Sequence, residues 1–135
     1  MKTLDPKEFN CDLESKLGVT ISDTNVIILK GIMRKLSIQF KEEVGFIITQ
    51  TEDGFLFTLT DNSDEKGFKF KNPKVDEARR RGTVYGDMKN YSGALAGFLR
   101  RVLLGDNKSK SRSDRFVAKM ISDHQFLLTK RLYRK

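Results

Sequence analysis

Alternating phenylalanines and lysines between residues 66 and 71 form the segment with the clearest potential for binding chemistry. Its sequence is KGFKFK, and in a β-strand the side chains of Phe68 and Phe70 point to one face while those of Lys69 and Lys71 point to the other. Exposed aromatic rings can stack on nucleic-acid bases while ammonium groups hold phosphates. The segment is therefore either a binding platform or, as the more common alternative, a strand that buries its phenylalanines and leaves its lysines in water.

Residues 66–70 resemble the start of the strand consensus of the RNA-recognition motif, Lys-Gly-Phe-x-Phe. The sequence departs from that consensus directly afterwards, because Lys71-Asn72-Pro73 replaces its apolar and aromatic positions. Residues 52–66 hold another expected strand, so they leave no room for the crossover helix of that family. The sequence therefore identifies no family.

Most of the other cations that could contact phosphates lie between residues 79 and 115. Such contacts add affinity but carry little sequence information. The set expected to bind nucleic acid is Lys69, Lys71, Arg79, Arg80, Arg81, Lys89, Arg100, Arg101, Lys108, Lys110, Arg112 and Arg115. Phe68, Tyr85 and Tyr91 are the candidates for stacking on bases.

A second candidate is an anion site at the start of a predicted helix. With Ser92 as the N-cap, the free N–H groups that begin at Gly93 would lie beside small residues, where an anion could approach. The favoured alternative is that this small-residue face packs against another helix. No Gly-Lys-Ser/Thr follows, so the segment is not a phosphate-binding P-loop.

Signals for catalysis or metal binding are weak. One histidine and one cysteine cannot build a zinc site, and neither Cys11 nor His124 lies near a recognisable catalytic partner. The sequence predicts no metal and no cofactor, and it favours a protein that is not an enzyme. A small phosphate- or nucleotide-acting enzyme using Ser92 and Gly93 is a distant alternative.

Charge is divided unevenly along the chain. Residues 1–65 carry 7 Lys and Arg against 12 Asp and Glu, whereas residues 66–135 carry 19 against 6. A net charge of +13 in the second half indicates either an anionic partner or a strongly solvated face. We expect a small basic nucleic-acid-binding protein, with DNA and RNA equally open. The alternative is a non-catalytic regulator that docks on an acidic protein surface of a larger nucleic-acid-processing machine.

The cysteine content and the absence of long apolar runs bear on location. A lone cysteine favours a reducing compartment, and the longest aliphatic run, residues 26–29, is too short to span a bilayer. The sequence therefore predicts a cytoplasmic or nucleoid-associated protein with no membrane partner and leaves its oligomeric state open.

The elements that would position these residues form an expected α+β fold, a single domain over residues 1–135. A hairpin over 44–60 is expected to turn at Asp53-Gly54 and to pair Gln50 with Phe57. A short third strand near 67–71 completes a small antiparallel sheet.

About five helices are expected to pack on this sheet. They cover 6–17, a segment that opens at Ser22 or Asp23 and reaches towards Val44, 73–82, a helix that starts at Asp87 or Ser92 and ends at Gly105, and a last helix from Ser113 or Asp114. A flexible basic linker at 107–115 precedes the last helix. Residues 126–133 fit either the end of that helix or a strand.

Overall fold

Strands whose apolar residues alternate with polar ones form the wall of a closed barrel. The computed structural model describes residue 3 and residues 17–36, 43–61, 64–72, 87–105 and 112–133. In chain order the elements are β1 (Gly18–Ser22), β2 (Val26–Ile28), α1 (Lys30–Lys35), β3 (Glu43–Gln50), β4 (Gly54–Thr60), β5 (Phe68–Lys71), β6 (Met88–Asn90), α2 (Gly93–Leu104), β7 (Ser113–Met120) and β8 (Gln125–Leu132).

The barrel is antiparallel throughout. Its strand order is β1-β2-β6-β5-β3-β4-β8-β7, and β7 pairs with β1 to close it. Closure leaves no free sheet edge among these strands. It also fixes which walls are neighbours and which are opposite: β5 and β6 lie across the barrel from β7 and β8.

Phenylalanine rings fill much of the barrel interior. The rings of Phe57 and Phe126 stack with centroids 4.7 Å apart, and Phe46 meets Phe70 and Phe126 edge-on at 5.6 and 5.7 Å. These rings come from β3, β4, β5 and β8, so every second residue of each strand reaches the same core. Aliphatic residues of β1 and β2 complete it.

The α+β prediction is wrong, because the described residues form an eight-stranded antiparallel barrel with only two short helices. The predicted helix at 6–17 and the one at 73–82 fall outside those residues, apart from Leu17, which directly precedes β1. The helix after residue 92 is confirmed as α2, with Ser92 as its N-cap and Gly105 at its C-terminus.

The helix predicted from Ser22 or Asp23 is only partly correct, because Val26–Ile28 is strand β2, Lys30–Lys35 is helix α1, and residues 37–42 lie outside the described residues. The side chain of Ser22 accepts a hydrogen bond from the Asn25 N–H at 3.2 Å, and the Ser22 N–H donates to the Asn25 carbonyl at 3.0 Å. Residues 23–25 thus form the tight turn between β1 and β2, because helix caps and turns favour the same small polar residues. Of the described residues in this segment, 30–35 are helical.

The predicted last helix is also wrong, since Ser113–Met120 and Gln125–Leu132 are strands. Phe116 and Met120 lie four residues apart, a spacing that places both on one face of a helix or of a strand. Pairing with β1 on one side and β8 on the other decides the outcome. Residues 113–115, expected within the flexible linker, begin β7, and the alternative of a strand over 126–133 is confirmed.

The hairpin and the third strand are confirmed, but the hairpin register differs by two residues. Gln50 pairs with Phe55 rather than Phe57, so Glu52 and Asp53 are the central turn residues. Gly54 serves another purpose: its φ is +149°, and a Cβ there would lie 1.9 Å from the Leu128 carbonyl oxygen. This glycine therefore permits β8 to approach β4 closely.

The two helices lie at opposite ends of the barrel. At one end α2 reaches β4, where the rings of Phe98 and Phe55 lie 6.0 Å apart. At the other end α1 contacts β7, and its first N–H donates to the Asp87 carboxylate at 2.8 Å. Neither helix of the described chain is long and apolar enough to cross a membrane.

Candidate nucleic-acid interface

Neighbouring strands β5 and β6 bring three lysines and a tyrosine together on the outside of the barrel. Lys71 pairs directly with Lys89, and Lys69 lies two residues away on the same face of β5. Tyr91 directly follows β6, and its side chain is 61% exposed. We name these four residues, Lys69, Lys71, Lys89 and Tyr91, the lysine face.

Asn90 holds the end of this face in place. Its side-chain Nδ2 donates to the Lys69 carbonyl at 2.9 Å, and its Oδ1 accepts from the Ser92 N–H at 2.9 Å. One side chain therefore joins β5, the end of β6 and the start of α2. The backbone that carries Tyr91 is fixed on both sides.

Glu43 is a carboxylate partner for two of the lysines. Its carboxylate oxygens lie 3.9 Å from the Lys69 Nζ and 3.6 Å from the Lys71 Nζ. The two lysine side chains remain 57% and 65% exposed, so solvent screens these pairs strongly. Lys71 and Lys89 face each other with like charge, an arrangement that disfavours the sheet.

The aromatic residues predicted to stack on bases occupy different positions in the fold. Phe70 is buried, whereas Phe68 lies at the start of β5 and is 40% exposed. Phe68 pairs with Phe46 and shares its face with Phe70, so it does not lie beside the lysines. Tyr91, directly after β6, is exposed and is the aromatic candidate that we assign to the lysine face, and Tyr85 lies outside the described residues.

Arg100 forms ion pairs within the fold. Its Nε and NH1 atoms lie 2.8 Å from the Asp114 carboxylate and 2.7 Å from the Asp23 carboxylate. The Arg100 side chain is only 13% exposed. It therefore fastens α2 to the β1–β2 turn and to the start of β7, and we do not include it in the interface.

The remaining predicted cations are dispersed. Arg101 is exposed on α2, and Arg112 is exposed just before β7. Arg115 lies with its Nε 3.4 Å from the Thr20 hydroxyl and its guanidinium 5.9 Å from the Tyr133 ring centre. Outside the described residues are Arg79, Arg80, Arg81, Lys108 and Lys110; the first three belong to the connection from β5 to β6.

At the predicted anion site, the Ser92 side chain caps the start of α2. The Ser92 hydroxyl accepts the Leu95 N–H at 3.2 Å, and the Asp23 carbonyl lies 3.4 Å from where a Gly93 Cβ would stand. Among the described residues, no second helix packs against this small-residue face, although that packing was the favoured alternative. A Cβ at Gly97 would meet no described atom within 4 Å.

A second basic surface, which the sequence did not suggest, lies on the opposite wall. A groove of about 530 Å³ is formed by α1, β7, β8 and the residue before β1. Its lining includes Leu17, Lys35, Val117, Lys119, Met120, Thr129 and Arg131. We name it the basic groove. Strand alternation at Val117 and Lys119 was the available signal, hidden by the prediction of a helix there.

The described cations therefore do not converge on one surface. The lysine face and the basic groove lie on opposite walls, and Arg100 belongs to neither. Of the predicted binding residues that the structure describes, Lys69, Lys71 and Lys89 lie together, and Tyr91 follows directly after β6.

The described residues hold no cluster of three or more His, Cys, Asp and Glu side chains suited to a metal. His124 lies in the exposed turn between β7 and β8, where its Nδ1 is 2.8 Å from Asp123 and 3.4 Å from the Ser122 hydroxyl. Both contacts use one ring nitrogen, so this group lacks the relay geometry in which the two nitrogens serve different partners.

Comparison with known proteins adds no relative. No family model, curated protein or solved structure that we compared matches the chain.

Proposed function

We propose that the lysine face binds the backbone of single-stranded nucleic acid with little sequence specificity. The observation that carries this proposal is the placement of three exposed or half-exposed lysines on two adjacent strands, with an exposed tyrosine directly after the second strand. Successive outward residues of a strand are about 6.7 Å apart, and paired residues on neighbouring strands are closer. The ammonium groups thus form a compact cationic patch rather than isolated charges.

The chemistry of the four side chains favours a single strand over a duplex. A flat exposed ring such as that of Tyr91 can stack on a base only if that base is not already paired and stacked within a duplex. Lysines act as point charges and attract phosphates without selecting a base. Binding should therefore depend on the polyanion and weakly on its sequence.

Unfavourable pairing of Lys71 with Lys89 supports the same function. Like charges directly opposite each other weaken a sheet. Both lysines lie on the outside of the barrel, where an uncharged polar residue would serve the fold equally well. A cationic patch retained at such a cost is typical of a surface that meets an anion.

Salt dependence of binding to oligo(dT), measured by fluorescence anisotropy, tests this proposal. For three phosphate contacts the slope of log affinity against log salt should be about −2 between roughly 50 and 200 mM salt. Lys89→Gln should reduce the magnitude of the slope by about 0.7. The matched control is Lys119→Gln on the opposite wall, which should leave it unchanged.

A slope near zero, or equal slopes for the two variants, would overturn the proposal. Comparison with oligo(U) and with a duplex of the same length then defines the ligand. Tighter binding to the duplex would show that Tyr91 does not contribute by stacking.

A further inference from the structure

The basic groove is built by elements that converge from three parts of the chain. Val117 and Lys119 point outward from β7, Arg131 comes from β8, and Lys35 comes from the end of α1. Leu17 and Met120 widen the apolar floor. The groove is open to solvent, and its volume of about 530 Å³ lies in the range of ligand-binding sites.

An irregularity in the sheet shapes one side of the groove. Phe116 pairs with Leu132 and Ala118 with Leu128, so Val117 stands opposite the three residues 129–131. The Thr129 hydroxyl donates to the Val117 carbonyl at 2.6 Å and accepts the Arg131 N–H at 3.3 Å.

This bulge changes which residues reach the surface. In a regular strand, residue 130 would point inward between Leu128 and Leu132, yet Lys130 is exposed. Bulges commonly redirect side chains at functional sites. Here the bulge is hydrogen-bonded and places two consecutive cations, Lys130 and Arg131, at the outer surface of β8.

The charged residues of α1, β8 and the part of β7 that lines the groove are all positive. Residues 30–35, 115–120 and 125–132 contain seven Lys and Arg and no Asp or Glu. Two aspartates flank these segments: Asp114 binds Arg100, and Asp123 lies exposed in the β7–β8 turn. The groove therefore combines an aliphatic floor with a cationic rim.

We propose that the basic groove docks a short acidic segment of a partner protein, one in which aliphatic side chains separate the carboxylates. The three cations Lys35, Lys119 and Arg131 come from different elements, so they match several carboxylates rather than one. The aliphatic floor matches leucine-like side chains. This surface is separate from the lysine face, and the inference does not depend on the proposed function.

Two other ligands fit less well. Nucleic acid would gain little from the floor, because the lining residues include no aromatic ring on which bases could stack. A single aliphatic carboxylate would occupy one cation and would remain largely uncovered in an open groove, whereas small-molecule sites enclose most of their ligand.

Fluorescence anisotropy with a labelled Leu-Glu peptide tests the inference on the full chain. Lys119→Glu should weaken binding on the order of tenfold, and the neutral variant Lys119→Gln roughly threefold. The matched control, Lys89→Glu on the lysine face, should change peptide affinity less than about twofold. Circular dichroism of each variant confirms that the barrel is intact.

Three further probes complete the test. A Ser-Glu peptide of equal charge should bind at least about fivefold more weakly, because it lacks the aliphatic contacts. Equal binding of that peptide would overturn the inference in favour of unspecific charge attraction. If oligo(dT) displaces the labelled peptide from the wild-type protein but not from Lys119→Glu, the groove binds nucleic acid instead. If decanoate displaces the peptide, the groove binds small aliphatic anions instead.

Discussion

The attachment of α2 and the lysine face use positive charge in opposite ways. At the end of the barrel, Arg100 is 13% exposed and contacts two carboxylates at 2.7 and 2.8 Å. On the wall, Lys69 and Lys71 share one carboxylate at 3.9 and 3.6 Å and stay more than half exposed. The first arrangement fixes an element, whereas the second leaves charge available to a ligand.

This contrast shows why the net charge of a segment does not assign a role to its residues. Arg100 and Arg101 are neighbours in sequence, yet one is enclosed between carboxylates and the other is exposed. What differs is the three-dimensional position of Asp23 and Asp114. A charged residue that stabilises the fold should change the unfolding free energy when it is substituted. A charged residue that is available to a ligand should change the binding affinity instead.

The largest expected effect is on stability, from Arg100→Leu. Removing the guanidinium leaves Asp114, whose side chain is 11% exposed, without that partner, and breaking such a buried pair should cost about 3 kcal/mol of unfolding free energy. Urea denaturation measures the loss. Arg101→Leu, one residue further along the same helix, should change the free energy by less than about 0.5 kcal/mol.

Adding Asp114→Asn to Arg100→Leu separates the ion pair from packing. The double variant should recover part of the loss, because the carboxylate charge is no longer left in a low-dielectric site. Equal losses for Arg100→Leu and Arg101→Leu would contradict the structural role given to Arg100.

The next largest effect is on binding, from Tyr91→Ala. Loss of one base-stacking ring should lower oligo(dT) affinity on the order of tenfold. Tyr91→Phe keeps the ring and should retain affinity within about twofold. Neither variant should shift the urea midpoint appreciably, because the side chain is 61% exposed. A similar loss in both variants would assign the effect to the hydroxyl instead.

Sequence patterns revealed those elements whose signals are local. The Ser92 cap and Gly105 bounded α2 correctly, and alternation located β3, β4 and β5. The barrel itself could not be predicted, because its closure depends on pairs far apart in sequence, such as Val19 with Phe116. Propensity and periodicity contain no information about such partners.

The same limit applies to the site. Lys69 and Lys71 were recognisable from alternation within one strand, but their neighbour Lys89 is 18 residues from Lys71 along the chain. Lys119 was missed because Phe116 and Met120 fit a helical stripe as well as a strand, and Arg131 reaches the groove through a bulge that the sequence does not reveal. Gly54 was assigned to a turn, and only the position of Leu128 explains it.

A smaller effect should follow from neutralising the carboxylate on the lysine face. Glu43→Gln removes the anion shared by Lys69 and Lys71, so oligo(dT) affinity should rise about threefold at low salt. Because the pairs are exposed, unfolding free energy should change by less than about 1 kcal/mol. The control is Glu52→Gln in the β3–β4 turn, which should leave affinity unchanged.

Lower affinity in Glu43→Gln would contradict the view that this residue competes with a phosphate. It would indicate instead that Glu43 orients the two lysines for binding.

The smallest effect concerns the opposing lysines. Lys89→Glu replaces a like-charge pair with an opposite-charge pair across β5 and β6, and it should stabilise the protein by about 0.5 kcal/mol. Lys119→Glu is the matched control, because its cross-strand neighbour is the uncharged Leu127. The gain should shrink as salt screens the pair.

The same Lys89→Glu variant should lose affinity for oligo(dT), so stability and binding should move in opposite directions. That opposition is the property that separates the lysine face from Arg100, where one substitution lowers stability and leaves ligand affinity of the folded protein unchanged. If Lys89→Glu destabilises the barrel, the lysine contributes to the fold and the distinction between the two regions fails.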